Sequence, residues 1–502
     1  MNFQDFLARH KIDTNPFADE DAQTDPVFKT RCIESAYHPS WDKVFGNPSD
    51  PSTSIVFGEK GSGKTALRLQ IDRHLKLHND AHPTEKCLVI HYDDFNPFID
   101  RFCERVGKRR KPSKVLLEYQ LWDHMDAILS LGVTQLVDAI LAGKDNDAEK
   151  TGIHLTPDDI KKLDSAEKRD LLLLTAFYDG STSDNVVHRW LKLKRRLKLW
   201  SLQSWWAMVD GWLLTLISVG AIIGFLVAQR ADIVIGYWWV ALLLSALGWV
   251  PWIWRYLSRW SLARGISRQL RVTRKRSSIL ASMLSHINNA MLADQPLPNR
   301  ERTDDRYALL GKFQSLARTL GFVGIVVLVD RLDEPHVVNG SSELMRALLW
   351  PMLDNKFLKQ PGFGVKFLLP IELTEFIDRE DRDFYQRARL DKQNLVPSLD
   401  WTGEALYDVA NSRLVACAEN GAEPRLRDLI DDELTQSQLY EALHSIRVPR
   451  HVFRFLYRLI VAHCNRHTED EPSWKVSRET FQSELALFSR EQTAAARGLG
   501  AG

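Results

Sequence analysis

The apolar positions of this 502-residue chain fall into two kinds of run. The short kind is rich in β-branched residues and ends at a glycine or an acid: Ile55 to Phe57 before Gly58, Lys86 to Tyr92 before Asp93 and Asp94, and Ile325 to Val329 before Asp330. A fourth run, Gly364 to Phe376, supplies Glu372 and Thr374 at its end. Such runs predict buried strands of a parallel sheet, with terminal acids pointing into a ligand crevice. From about 115 to 200, and after about Asp400, the pattern is helical. The expected fold class is therefore α/β, with an all-α C-terminal part.

The long kind occurs twice. Gly211 to Ala228 and Ile233 to Trp254 contain no charged residue, and each fits the roughly 17–25 residues of a membrane-spanning helix. Only Gln229 to Asp232 lie between them, which predicts a tight hairpin. Lys192, Lys194, Arg195, Arg196 and Lys198 precede the pair, and eight arginines and lysines follow it from Arg255 to Arg276. Basic residues outside both ends put both ends on the cytoplasmic side. Ten of the sixteen tryptophans fall between Trp200 and Trp260, where interfacial aromatic belts form. The alternative is a buried hairpin of a soluble protein. The expected location is an inner or plasma membrane, with both termini cytoplasmic.

A formal net charge of +1 hides these local basic clusters. It argues against a dedicated nucleic-acid binder, whereas the juxtamembrane clusters suit anionic lipid headgroups. The run from Arg105 to Lys114 reads either as a solvated loop or as a contact for lipid or a polyanionic partner. Five cysteines (Cys32, Cys87, Cys103, Cys417 and Cys464) lack metal-type spacing and fit reduced cytosolic thiols. The polar, acidic first residues do not resemble a secretory signal. Asp145 to Lys150 reads as a surface loop, and the tail from Gln492 reads as disordered.

One stretch carries specific chemistry. "SIVFGEKGSGKTALRLQI", Ser54 to Ile71, matches G-x-x-x-x-G-K-[ST] at Gly58, Gly63, Lys64 and Thr65, between a strand pattern and a helix pattern. In such a loop Gly58, Glu59, Lys60, Gly61, Ser62 and Gly63 turn backbone amides toward one phosphate-sized point. Lys64 then reaches the outer phosphates, Thr65 offers its hydroxyl to Mg2+, and the helix dipole adds positive potential. ATP and Mg2+ are the expected cofactors.

A metal held by Thr65 needs a carboxylate from a second strand. "VLVDRLDEPH" supplies Asp330 for the metal, followed by Asp333 and Glu334 as candidates to orient or deprotonate an attacking water. Glu334 is the favoured of the two. The other reading of these acids is a solvated loop or a helix cap. In a compact domain only about 50 to 100 residues would separate the two motifs. The far longer interval from Thr65 to Asp330 marks an insertion, and it contains the apolar hairpin.

Two further features bear on a nucleotide. Tyr37, His38 and Trp41 lie over a base or simply pack. In "SIRVPRHVFRFLYRLIVAHC", Pro449 opens a helix with Arg450, Arg454 and Arg458 on one face. Arg450 is either an outer-phosphate ligand or part of a solvated basic stripe.

Together the Gly58–Thr65 loop, the hairpin before the "VDRLDE" strand and the "DDFNPF" segment resemble the KAP group of P-loop NTPases. "VPRHVFRF" resembles the lid helix carrying the second sensor arginine of AAA+ and STAND ATPases. Arg331 departs from that pattern, because a second acid often follows the first strand-end aspartate. The resemblance implies a membrane-tethered ATPase in a group associated with signalling assemblies, phage exclusion and bacterial defence.

The expected organisation is an N-terminal leader (1–50), a first P-loop NTPase part (51–185), and basic stalks with a transmembrane hairpin (186–292; spans 211–228 and 233–254). A second NTPase part (293–399), a helical lid (400–490) and a disordered tail (491–502) follow. The expected function is an ATP-hydrolysing switch, with a homo-oligomer or protein partners beside the lipid bilayer. The alternatives are a nucleotide-bound scaffold that does not hydrolyse, and a transporter or pore component.

Overall fold

The computed structural model describes residues 1–107, 109–142, 153, 155–181, 185–199, 203–227, 231–287, 292, 295–388, 390, 394–419, 421–468 and 470–496. The surface loop expected at Asp145 to Lys150, half of the expected hairpin turn (residues 229 and 230) and the last six residues lie outside these. The chain forms two compact units, one of Met1–Asp93, Gly324–Arg346 and Leu353–Gly502, the other of Asp94–Val323 and Ala347–Met352.

The first unit is built on a five-stranded sheet: β1 Ser54–Gly58, β2 Lys86–Tyr92, β3 Phe322–Val329, β4 Phe363–Pro370 and β5 Asn394–Val396. Their spatial order is β2-β3-β4-β1-β5, with β1 parallel to β4 and β5, and β3 parallel to β4. Every residue of β1 and β4 is buried, in keeping with their mainly apolar sequences; the one charged residue, Lys366 of β4, donates from Nζ to Ser52 O at 2.7 Å. Leu67, Ile71 and Leu75 of the Lys64–Ala81 helix recur at i, i+4, i+8 and pack with Val56, Val326 and Leu368. The chain leaves β1 toward the far edge strand β2 and leaves β4 for β5 on the opposite side. Such a reversal opens a crevice at the strands' C-terminal ends.

Beyond the sheet lie the helices Gly403–Ala416, Gln436–Ile446, Pro449–Arg466 and Arg478–Ala496. Two expectations are corrected here. The first residues are not a separate leader, because Phe6, Leu7, Ile12 and Phe17 are buried in the core of these C-terminal helices. Asp13 N donates to Cys417 O at 2.9 Å, which ties the segment down. Four apolar anchors among polar neighbours have no periodicity of their own; their partners are distant in sequence. Residues 491–496, expected to be disordered, continue the last helix to Ala496.

The second unit is helical. Its central helix, Leu121–Ala142, is 67% buried, although it is long and apolar enough to cross a bilayer. Ser165–Tyr178, Val186–Arg196 and Thr303–Thr319 surround it. The helices from Asn96 onward thus belong with the segment leading to the hairpin, and the division falls at Asp93 rather than near 185. An all-round apolar helix is stable only where neighbours cover it, and those neighbours are in this unit.

The two long apolar runs form helices Gln203–Val227 and Ala231–Gln269, which pack on each other. A Cβ at Gly211 would lie 3.0 Å from the Trp249 ring, so glycine permits this approach. Trp249 Nε1 donates to Thr215 Oγ1 at 3.1 Å. The outer faces are uncovered: Trp212, Leu216, Ile223, Trp238, Leu242 and Trp254 are all more than half exposed. Among the described residues, Trp238–Gln269 is long and apolar enough to cross a membrane and is only 6% buried, whereas Gly211–Gly224 is a shorter apolar stretch. The second helix does not stop at Trp254. It runs without a break through the basic residues to Gln269.

The Arg105 to Lys114 run is partly used internally. Arg105 Nη1 donates to Ser267 O and Leu270 O, each at 2.5 Å, where the long helix ends and its carbonyls lack helical partners. Arg110 pairs with Glu118.

Candidate functional site

The crevice side of the first unit is organised by the turn after β1. Gly61 and Gly63 have φ of 91° and 96°, a left-handed conformation that side chains with a Cβ rarely adopt. Gly63 caps the Lys64–Ala81 helix at its N-terminus. Lys64 Nζ donates to Gly58 O at 2.8 Å and Glu59 O at 2.9 Å, folding back over the turn. Ser62 is buried, and its hydroxyl has no hydrogen-bond partner among the described residues.

Asp330 follows β3 directly. The register aligns Val329 with Phe367, and Phe367 with Ile55, so Asp330 emerges one strand away from β1 beneath the turn. Thr65 Oγ1 donates to Asp330 Oδ2 at 3.1 Å, and the Arg331 amide donates to Oδ1 at 2.9 Å. Burial pushes the Asp330 carboxyl above the usual carboxylate range, against Arg68, the Arg331 amide, Thr65 and Lys64. Burial likewise holds Lys64 below the usual lysine range; Asp330, Asp333 and Glu372 oppose this, while Arg450 reinforces it.

The two acids after Asp330 are not equivalent. Arg331 adopts φ 61°, and its Nε lies 3.5 Å from Glu334 Oε1. Glu334 remains 56% exposed, with its pKa raised by burial first and by Asp333, Asp330 and Asp21, against Arg331. Asp333 is among the acids that oppose the lowering of the Lys64 pKa.

A cavity of about 200 Å³ adjoins these groups. The turn at Lys60 to Thr65, Asp330, Asp333 and Glu334 line it on one side, and Trp401, Arg450 and the acidic segment Asp19–Asp21 on others. Arg450 packs on the turn, since a Cβ at Gly61 would approach its Cβ to 2.8 Å. Of Arg450, Arg454 and Arg458 on that helix, only Arg450 lines the cavity. Arg454 pairs with Glu20 at 2.5 Å, and Arg458 with Glu484 and Glu491.

The remaining candidates separate as follows. His38 lines the cavity, with Nε2 2.9 Å from Asp400 O and its ring edge-on to Trp401. Tyr37 and Trp41 pack instead, Tyr37 OH 2.8 Å from His74 Nε2 and Trp41 stacked on Phe45. Glu372 is exposed near Lys64, and the Thr374 hydroxyl donates to Ile371 O.

Three contributors went unrecognised in sequence. Trp401 Nε1 donates to Ser62 O at 2.8 Å, and its ring lies 3.6 Å from where a Gly63 Cβ would be. The acidic Asp19–Asp21 segment reaches the cavity from the N-terminus. Arg68 contacts both Asp330 and Asp93. Only Arg68 had a signal: it lies one helical turn beyond Lys64 and Thr65, hence on their face.

The donor set suits a hard divalent ion of the Mg2+ type, which takes one or two protein oxygens and completes its shell with phosphate and water. Thr65 and Asp330 offer those oxygens. Chemically, the arrangement joins a glycine-rich turn, the cations Lys64 and Arg450, and a carboxylate–hydroxyl pair at one cavity. Comparison of the chain with protein-family models, with curated proteins and with solved structures finds no match.

Proposed function

We propose that the chain is a membrane-anchored ATPase of the P-loop type, a nucleotide switch on the cytoplasmic face. The observation that carries this reading is the Thr65–Asp330 contact beside Lys64, because it unites the metal-binding and phosphate-binding groups at one cavity. The Gly58–Thr65 turn cradles the phosphates, and Lys64 leaves its two carbonyl partners to follow the outer phosphate. Thr65 and Asp330 hold Mg2+, which neutralises charge on the phosphates when bound. Arg450 contributes a second positive charge from the C-terminal helices.

Asp333 is the better candidate to orient the attacking water, since both acids line the cavity but Glu334 lies within ion-pair distance of Arg331. The uncovered faces of the paired apolar helices supply the anchor, and the basic residues around them meet anionic headgroups. The likeness to KAP-type NTPases is consistent with this reading and with a role in signalling or anti-phage defence.

Hydrolysis of Mg-ATP by detergent-purified protein, compared with Lys64→Ala, tests the proposal. No nucleotide binding would overturn it. Binding without turnover would favour a second reading, a non-hydrolysing membrane scaffold, which the pairing of Arg331 with Glu334 supports.

A further inference from the structure

Arg68 is the residue of the site for which the proposed chemistry has no role. It lies on the first turns of the Lys64–Ala81 helix, one turn beyond Lys64 and Thr65. Its side chain is 5% exposed; Nη1 and Nη2 hydrogen-bond to side-chain oxygens, while Nε lies at ion-pair distance from Asp330 without a hydrogen bond among the described residues. Nε is 3.2 Å from Asp330 Oδ2, Nη1 is 2.5 Å from Asp93 Oδ2, and Nη2 donates to Gln23 Oε1 at 3.2 Å. Asp330 is itself only 2% exposed. Lys64 places two of its three N–H groups on Gly58 O and Glu59 O, and among the described residues Arg68 is the cation within ion-pair distance of Asp330.

We infer that Arg68 is a positioning residue that serves as the resident counter-cation of Asp330 and Asp93, making divalent-metal binding at Asp330 conditional on a nucleotide's phosphates. The inference rests on the proposed nucleotide reading for its second half only. A buried carboxylate needs a partner, and guanidinium is suited to the task because it cannot deprotonate and its fork addresses two acids at once. Its fixed charge also repels a bare metal ion approaching the same Asp330 oxygen. Phosphates arriving with the metal supply the negative charge that offsets this repulsion. The oxygen shared by Thr65 and Arg68 is the one a metal would use, so Arg68 sets when it becomes available.

The experiment uses the full chain in detergent and Mn2+ as the probe, with bound and free ion distinguished by electron paramagnetic resonance. Without nucleotide, wild type shows no Mn2+ bound at this site over the concentrations titrated, whereas Arg68→Met, which keeps similar bulk without charge, binds one ion there, a gain in affinity of roughly tenfold or more. The gain disappears in Arg68→Met/Asp330→Asn. Arg68→Lys, which keeps the charge but loses the fork, again excludes the ion. A folded Arg68→Met protein that gains no Mn2+ overturns the inference, as does nucleotide-free binding by wild type that Asp330→Asn abolishes. If Arg68→Met is recovered unfolded, Mn2+ during refolding, or the added Asp330→Asn substitution, restores it; failure of both overturns the inference. Mn-ATP binding by wild type is measured separately. Its absence would remove the nucleotide reading while leaving the metal-only result to decide the role of Arg68.

Discussion

The Thr65 hydroxyl and the Asp330 carboxylate meet at 3.1 Å across 265 positions of sequence. The contact joins the start of the helix after β1 to the end of β3, two strands that are separated by β4 in the sheet. On the proposed reading it is the metal site, so Asp330→Asn should weaken Mg-ATP binding as well as turnover. The lost charge acts in the ground state. Calorimetric titration with and without Mg2+ checks this, and unchanged affinity would remove Asp330 from the metal site.

Lys64→Ala should weaken Mg-ATP binding about tenfold or more, since charge-assisted contacts to phosphate are the strong ones. Its carbonyl partners belong to the same turn, so the fold should survive. Fluorescent-nucleotide titration alongside a melting curve separates affinity from folding.

Asp333→Asn should slow hydrolysis by about 10²-fold with little change in ATP binding, the pattern expected of a group acting in the transition state. Glu334→Gln should be the milder change, because Arg331 already engages that carboxylate. Steady-state kinetics decide between the two acids, and the reverse ranking would return the role to Glu334.

The buried pair Asp123–Arg271 in the helical unit yields a pH prediction. Burial pushes the Asp123 carboxyl up to about 6 despite Arg271, from an ordinary value near 3.8. The folded state thus binds this proton more readily than the unfolded one. The resulting stability is present at low pH and lost as pH rises through about 6. Relative to Asp123→Asn, wild type should lose up to ~3 kcal/mol between pH 4 and pH 7. Denaturant melts of both proteins across that range read the difference; parallel curves would show that Asp123 is not the titrating group.

Replacing residues 211–254 by a short polar linker should abolish carbonate-resistant membrane association. The exposed faces carrying Trp212, Leu216, Leu242 and Trp254 would be gone. Flotation of both forms on a density gradient tests it, and a freely soluble parent protein would refute the anchor.

Features with local causes can be read directly along the chain. The turn at Gly58–Thr65 is legible because consecutive residues set its dihedrals, with glycines at the two positions of φ near 90°. The strands are legible because residues buried on both faces are mainly apolar, Lys366 in β4 being the charged exception. The tertiary structure decided everything that depends on partners distant in the chain. Leu121–Ala142 has a membrane-like composition, yet neighbouring helices bury it; the hairpin helices have a similar composition and lack such cover. Phe6 and Leu7 sit in a segment that looks solvated until the C-terminal helices supply their core. Asp333 and Glu334 are adjacent and chemically alike, and what distinguishes them is that Glu334 lies within ion-pair distance of Arg331. A carboxylate's role is set by which charges share its desolvated surroundings, and those charges are brought there by the packing of the sheet and its helices rather than by neighbours in sequence.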